Sequence, residues 1–293
     1  MFGHVGLVVH PRRDIEPALQ TVLEWASKHG MAVGQVRIAG QSRTVADPVA
    51  VGSCDLVIAL GGDGTALAAL HAAAPASCPV LGIACGSIGV LTSVHSGELD
   101  WALEQVAAGD WVPQRLPGLD VSVAGEEVAV AINDVAVVRN GAGQVIVAMT
   151  VDDELYARTA GDGLVAATPL GSTAYTMAAG GPIVLPQVPS IVLTPLARHG
   201  GVSPPLVVGP ESRISLVIES GYGGSRIEVD GQLVADGALD ATLRLRDEYA
   251  TMVTLAGQET LLAGLRRRGL ITDSPRVLVR DKRAGLQDGS PTG

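Results

Sequence analysis

Apolar residues along this chain change their spacing as the sequence proceeds, and the change divides it into two textures. Over roughly the first 110 residues, short continuous apolar runs alternate with longer amphipathic ones. HVGLVV (4–9), DLVIAL (55–60) and PVLGIA (79–84) are unbroken apolar runs, the pattern of strands buried on both faces of a parallel sheet. IEPALQTVLEWASKHG (15–30) reads as a helix closed by Gly30. In ELDWALEQVAAG (98–109), Leu99, Ala102, Leu103 and Val106 recur at i, i+3, i+4 and i+7, which predicts a helix ending at Gly109. Strand and helix in alternation imply a doubly wound, Rossmann-like α/β domain, assigned to residues 1–115.

After VPQRLPG, where Pro113 and Pro117 suggest a linker, the period shortens. Between Leu119 and Leu255 come β-rich segments separated by turn signals: DVSV–AGEE–VAVAI, VIVAMTVDDELYA, ISLVIESGYGGSRIEV and ATLRLRDEYATMVTL. They predict a mostly antiparallel β domain over 118–256. Asp152-Asp153-Glu154 lies between two such runs and reads as a hairpin turn rather than a metal site. GSTAYTMAAGG (171–181) is predicted as a short helix inside this domain, and QETLLAGLRRRGL (258–270) as another after it. The remaining residues, 274–293, trail off with turn-rich composition and are expected to fray at their end. No internal repeat or heptad pattern is present.

Composition narrows the classes. The 293 residues are 47% apolar and 17% charged, which fits a well-buried globular chain and excludes a disordered one. A net charge of −10 leaves no electrostatic footprint for nucleic acid or an anionic membrane. The only lysines, Lys28 and Lys282, stand outside any G-x-x-x-x-G-K-[ST] context, so a P-loop is excluded. Cys54, Cys78 and Cys85 show neither paired spacing nor C-x-x-C, and read as buried thiols in a reducing compartment. The N-terminus lacks the basic start and apolar core of a signal peptide. Gly163–Ala197 carries no charge but is interrupted by five prolines, so it reads as buried structure rather than a membrane span. Together these features place the expected chain in the cytoplasm.

The most chemical stretch is ALGGDGTALAALH (59–71). It follows a predicted strand and opens an alanine-rich helix, at the carboxyl end of a parallel sheet where ligands bind. Gly61, Gly62 and Gly64 are free to adopt positive φ, Thr65 is positioned to cap the helix, and the unpaired N–H groups there favour a phosphate. Asp63 is then a bare carboxylate in the most exposed part of the turn. It could accept a proton from an attacking hydroxyl, bond a sugar hydroxyl, or help position Mg²⁺. Gly-Asp-Gly is also common in turns with no chemistry at all.

G-G-D-G-T after an apolar strand is shared by NAD kinases, by diacylglycerol and sphingosine kinases and, more loosely, by phosphofructokinases. INDVAVVRNG (132–141), DGLVAATPLGSTAYTMAAGGPIV (162–184), IVLTPLA (191–197), VDGQ (229–232) and ETLLAGLRRRGL (259–270) stand in the order and approximate spacing of NAD kinases. Over roughly residues 50–270 the chain resembles that family, with the 162–184 block the most specific. The resemblance implies transfer of a phosphoryl group from ATP, or polyphosphate, to the 2′-hydroxyl of the adenosine ribose of NAD(H). It also implies Mg²⁺ or Mn²⁺ as helper, a homodimer or homotetramer, and a C-terminal β-sandwich-like domain. The chain is expected to return at about 257–285 to the first domain.

Carried over residue by residue, the resemblance makes Asp63 the candidate general base, with Gly62, Gly64 and Thr65 on the donor-phosphate side. Asn133 and Asp134 stand where the family has an Asn-Glu dinucleotide contact. Asp162 would meet the nicotinamide side, where an acceptor suits a carboxamide N–H₂. Thr173, Ala174 and Tyr175 would line the dinucleotide pocket, with Ser172 beside them. Read without the resemblance, Asn133-Asp134 is equally a turn, and Tyr175 a core residue with its hydroxyl at the surface.

Four departures from the family pattern stand out: Asp134 for Glu; Gly86-Ser87-Ile88-Gly89-Val90 for G-R-[LV]-G-F; Leu170 for a hydroxyl residue; and Pro204 or Pro205 where an arginine is expected. They keep a non-catalytic dinucleotide-binding homologue open as an alternative. A lipid kinase is a more distant one. His71 and the pair Arg198-His199 read as ordinary surface residues, His71 as a favourable charge near a helix end when protonated.

Overall fold

The computed structural model describes residues 2–92 and 94–283. The chain forms two compact units, Met1–Ala256 and Gly257–Gly293. In chain order the first unit begins with β1 (His4–Val9), α1 (Glu16–Lys28), β2 (Ala32–Val36), β3 (Pro48–Val49), β4 (Leu56–Gly61), α2 (Asp63–Ala73), β5 (Val80–Ala84), β6 (Val94–His95) and α3 (Leu99–Ala108). There follow β7 (Trp111–Val123), β8 (Glu126–Ala131), β9 (Asp134–Arg139), β10 (Val145–Val151), β11 (Glu154–Gly161), β12 (Gly163–Ala167) and α4 (Tyr175–Ala178). The unit closes with β13 (Ile191–Leu196), β14 (Leu206–Val208), β15 (Arg213–Ser220), β16 (Ser225–Val229), β17 (Gln232–Asp236) and β18 (Asp240–Leu255). In the second unit α5 (Leu261–Arg267) is capped by Thr260, whose Oγ1 accepts from the Ala263 N–H, and α6 (Pro275–Arg283) follows.

The apolar runs of the first hundred residues become parallel strands: β1 pairs with β2 and β4, and β4 with β5. Against them α1 buries Ala18, Leu19, Val22, Trp25 and Ala26, and α3 buries the four residues its spacing predicts. Gly109, with φ +82°, ends α3 in the left-handed conformation glycine adopts most easily.

Pro113 and Pro117 do not form a linker. They lie inside β7, which runs antiparallel to β18 from Trp111 opposite Leu255 to Ser122 opposite Thr242. Pro117 falls where the register breaks, between Leu116 opposite Ala250 and Gly118 opposite Arg246, so it costs no regular ladder bond. Because β18 also meets β5, parallel and antiparallel strands join one twelve-stranded sheet.

A second sheet of six strands runs β14-β13-β12-β9-β16-β17. Side-chain alternation explains how it is buried. Val135, Val137, Leu164 and Ala166 point into one core with Val145, Val147, Leu216 and Leu243 of the large sheet, making a sandwich. Ala136, Val138, Val165 and Ala167 face the other way, against Val184 and Ala179. The charge-free stretch therefore supplies two inner strands and the cover of their outer face. No helix among the described residues is long and apolar enough to cross a membrane.

β15 and β16, consecutive in sequence, belong to different sheets. Residues 275–283 form a helix where the sequence reads as turn-rich; the end expected to fray, 284–293, lies outside the described residues.

Candidate functional site

The turn at the end of β4 is built differently from its sequence reading. Gly62 is the N-cap of α2 with extended backbone, φ −138°, and neither Gly61 nor Gly64 adopts positive φ. Thr65 does not cap the helix; it is buried within its first turn, close beneath Gly61. Nor is Asp63 bare. One of its oxygens, Oδ2, accepts the Val90 N–H at 2.8 Å, while Oδ1 accepts the Leu91 N–H at 2.9 Å and the Thr92 hydroxyl at 3.1 Å. A carboxylate has about four acceptor positions, so one remains on Oδ2. Gly89 makes the arrangement possible, since a Cβ there would stand 1.8 Å from Oδ1.

Asp134 starts β9, Asn133 immediately precedes it, and both are gripped from outside the strand. Asp230 sits with φ +49° beside Gly231, φ +76°, in the two-residue turn between β16 and β17. Its carboxylate accepts the N–H groups of Ile132, Asn133 and Asp134 at 2.8, 2.8 and 3.0 Å. His71 of α2 approaches the same carboxylate at 2.6 Å, so it is a tie between elements rather than a free charge at a helix end. Asp134 itself is 7% exposed. Burial and the neighbouring Asp230 push its pKa up to about 7, against a backbone hydrogen bond from Tyr175.

The segment 168–175 closes on the same point. Thr168 accepts the Gly171 N–H and donates its hydroxyl to the Ile132 carbonyl, and its own N–H reaches the Asn133 carbonyl. A Cβ on Gly171 would stand 1.9 Å from that carbonyl, which accounts for the glycine. Ser172 is fully buried; its hydroxyl donates to the Pro169 carbonyl and accepts from the Val184 N–H. Thr173 donates to the Leu170 carbonyl. These two hydroxyls hold the turn that presents Ala174 and Tyr175. Tyr175 is 42% exposed, and its phenol is pushed up by burial and by Glu228, Asp162 and Asp134, with Arg226 opposing.

Asp162 stands between β11 and β12 and is paired with Arg139 at 2.5 Å. The pieces share one apolar cluster: Ala66 of α2, Leu91 beside the loop that holds Asp63, Ile132 before Asn133, and Leu170 before the 171–173 turn. Leu170, 6% exposed, thus contributes packing where the resemblance led us to expect a hydroxyl. Arg198 and His199 are exposed loop residues outside this cluster. Among the described residues no three acidic, histidine or cysteine side chains converge as a metal site. Asp63 is the carboxylate that opens α2 at the glycine turn. A divalent ion there fits as a companion of a ligand's phosphates, holding few protein ligands.

A model of the ATP-NAD kinase N-terminal domain matches residues 10–111, and one of the C-terminal domain matches residues 132–274. The chain belongs to the NAD kinase family. The NAD kinase of Nocardia farcinica is 41% identical over 224 residues, covering 74% of this chain and 67% of that one. The NAD kinase of Carboxydothermus hydrogenoformans is 37% identical over 183 residues, covering 61% of this chain and only 65% of the relative's length. Among solved structures, yeast NADH kinase complexed with NADH superposes with a TM-score of 0.78 at 22% identity, covering 93% of this chain and 89% of that one. An NAD kinase from Archaeoglobus fulgidus in complex with ATP gives 0.71 at 23%, covering 91% and 97%. These two establish a shared fold.

As an NAD kinase family member the chain keeps the motif aspartate, and three further groups beside these segments carry no role in the sequence reading. Asp230 belongs to VDGQ and Arg139 to INDVAVVRNG, and neither pattern by itself assigns the residue a role. Arg13, which lies over the glycine turn, carried no motif. Their partners lie far along the chain, 96 to 98 positions for Asp230 and 23 for Arg139.

Proposed function

We propose that this chain is an NAD kinase, transferring the terminal phosphoryl group of ATP to the 2′-hydroxyl of the adenosine ribose of NAD(H). The observation that carries the reading is the carboxylate of Asp63, oriented by three donors with one acceptor position left open at the carboxyl end of the sheet. The hydroxyl oxygen attacks the γ-phosphorus as its proton passes to Asp63 Oδ2. The bond to the β–γ bridging oxygen breaks, and ADP leaves with that electron pair. Gly62, Gly64 and Thr65 form the turn that faces the donor. Asn133, Asp134, Asp162, Ala174 and Tyr175 supply the dinucleotide side, with Ser172 and Thr173 holding its turn. A bound Mg²⁺ or Mn²⁺ would neutralise phosphate charge, held mainly by the phosphates and water, because the open position of Asp63 serves the acceptor hydroxyl.

The test is chromatographic detection of NADP(H) from NAD or NADH with ATP or polyphosphate and Mg²⁺ or Mn²⁺. Wild type is expected to turn over, and Asp63→Asn to lose about 10²–10⁴-fold in kcat while still binding NAD by calorimetry. Turnover near wild type in that variant removes Asp63 from the role of base. Absence of product with every donor and acceptor removes the kinase reading.

A further inference from the structure

The loop joining β1 to α1 brings a cation to the glycine turn. Strands β1, β4 and β5 are parallel neighbours, and their carboxyl ends are laced together: the His10 N–H bonds the Leu60 carbonyl at 2.9 Å, and the Cys85 N–H bonds the Gly61 carbonyl at 2.8 Å. The residues following each strand therefore emerge side by side. Arg13 lies over two of these exits. A Cβ on Gly62 would stand 3.0 Å from its Nη1, and a Cβ on Gly86 also 3.0 Å. Glycine at both positions leaves room for the guanidinium against both turns.

Arg13 is also held in place and left unspent. Its backbone N–H, like that of Arg12, donates to His10 Nδ1, and its carbonyl accepts Arg43 Nη1 at 2.8 Å. Among the described residues its guanidinium neither donates to a protein acceptor nor pairs with a carboxylate. Arg12 and Arg43 reinforce the local positive potential. Burial and then Arg13, Arg12 and Arg43 hold the His10 imidazole below its ordinary range. In a chain of net charge −10, an exposed, unpaired arginine beside two glycine turns is a placed charge.

We propose that Arg13 is a phosphate-binding residue of the kinase site and takes the β- and γ-phosphates of the nucleoside triphosphate donor. The inference rests on the kinase reading above. Two features favour the donor over the pyrophosphate of the dinucleotide. Gly62, which Arg13 covers, is the N-cap of α2, whose first turn leaves N–H groups without intrahelical partners. The next residue is Asp63, where the transferred group must arrive. A guanidinium fork and a helix end then converge on one phosphate, and the fork suits it bidentately.

The experiment compares wild type, Arg13→Ala and Arg13→Lys by steady-state kinetics with ATP and NAD varied separately, and by calorimetry of ATP binding. Arg13 is exposed, so neither variant is expected to lose its fold. Arg13→Ala should lower kcat/KM for ATP about 10- to 100-fold and weaken ATP binding, while KM for NAD stays within about twofold. Arg13→Lys should fall between, keeping the charge but not the fork. Equal ATP affinity in wild type and Arg13→Ala overturns the proposal, as does a rise in KM confined to NAD, which moves the contact to the dinucleotide. If wild type makes no NADP(H) yet binds ATP in an Arg13-dependent way, the kinase reading fails and the phosphate site stands. If wild type binds no ATP, both fail.

Discussion

Asp63 and Asp134 open α2 and β9 in contrasting surroundings. Asp63 meets three donors from residues 90–92, so its charge is compensated by the loop it organises. Asp134 is buried beside the carboxylate of Asp230, and its pKa is pushed up to about 7. The unfolded value lies near 4. Between those values the folded chain keeps a proton that the unfolded chain releases, so stability falls as pH rises from about 4 to about 7 and then levels off. Asp134→Asn removes the titration. Its stability relative to wild type should therefore increase from pH 4.5 to pH 8, by at most about 4 kcal/mol, measured by urea unfolding at both pH values. A difference that does not change with pH would show that Asp134 keeps an ordinary titration in the folded chain.

At the level of elements, the hairpin β16–β17 does more than turn the chain. Asp-Gly between two β-like runs is a legible hairpin signal, because both residues tolerate positive φ. What the turn holds was not legible. The Asp230 carboxylate, 4% exposed, satisfies three consecutive backbone N–H groups at the start of β9 and meets His71 of α2. Asp230→Ala leaves those N–H groups buried without an acceptor and should cost about 3–5 kcal/mol in denaturant unfolding. It should also raise KM for NAD, since Asn133 and Asp134 lose their anchor. A loss under about 1 kcal/mol would mean that other acceptors replace the carboxylate.

Across the whole first unit, strands β7 and β18 run on through the point where the two prolines suggested a break, and the shared apolar cluster joins the site's segments. Leu170 is the member of that cluster contributed by the 168–175 segment. Leu170→Ala should lower unfolding free energy by about 2–5 kcal/mol. If the cluster positions the site, kcat should also fall at a temperature where the variant is fully folded. An unchanged kcat would separate packing from positioning.

Sequence alone determined the features set by local physics. Periodicity located β1, β4, β5, α1 and α3, since each buries a face whose spacing is written in consecutive residues. Turn chemistry located the Ala124-Gly125 and Asp152-Asp153 hairpins, whose residues adopt positive φ. A charge-free run of 35 residues announced buried structure, which holds for 163–173 and 190–194 but not for the largely exposed 185–189, and the glycine turn announced a site. Tertiary structure decided what depends on groups distant in the chain. It turned Asp63 from an exposed carboxylate into an oriented one, because the donors come from a loop 27 to 29 positions away. It gave Ser172 and Thr173 inward partners, gave His71 an aspartate, absorbed Pro117 into a register break, and laid Arg13 across two glycines. A hydrogen bond or a close approach is a property of two positions at once, and no local pattern along one stretch of chain encodes the second.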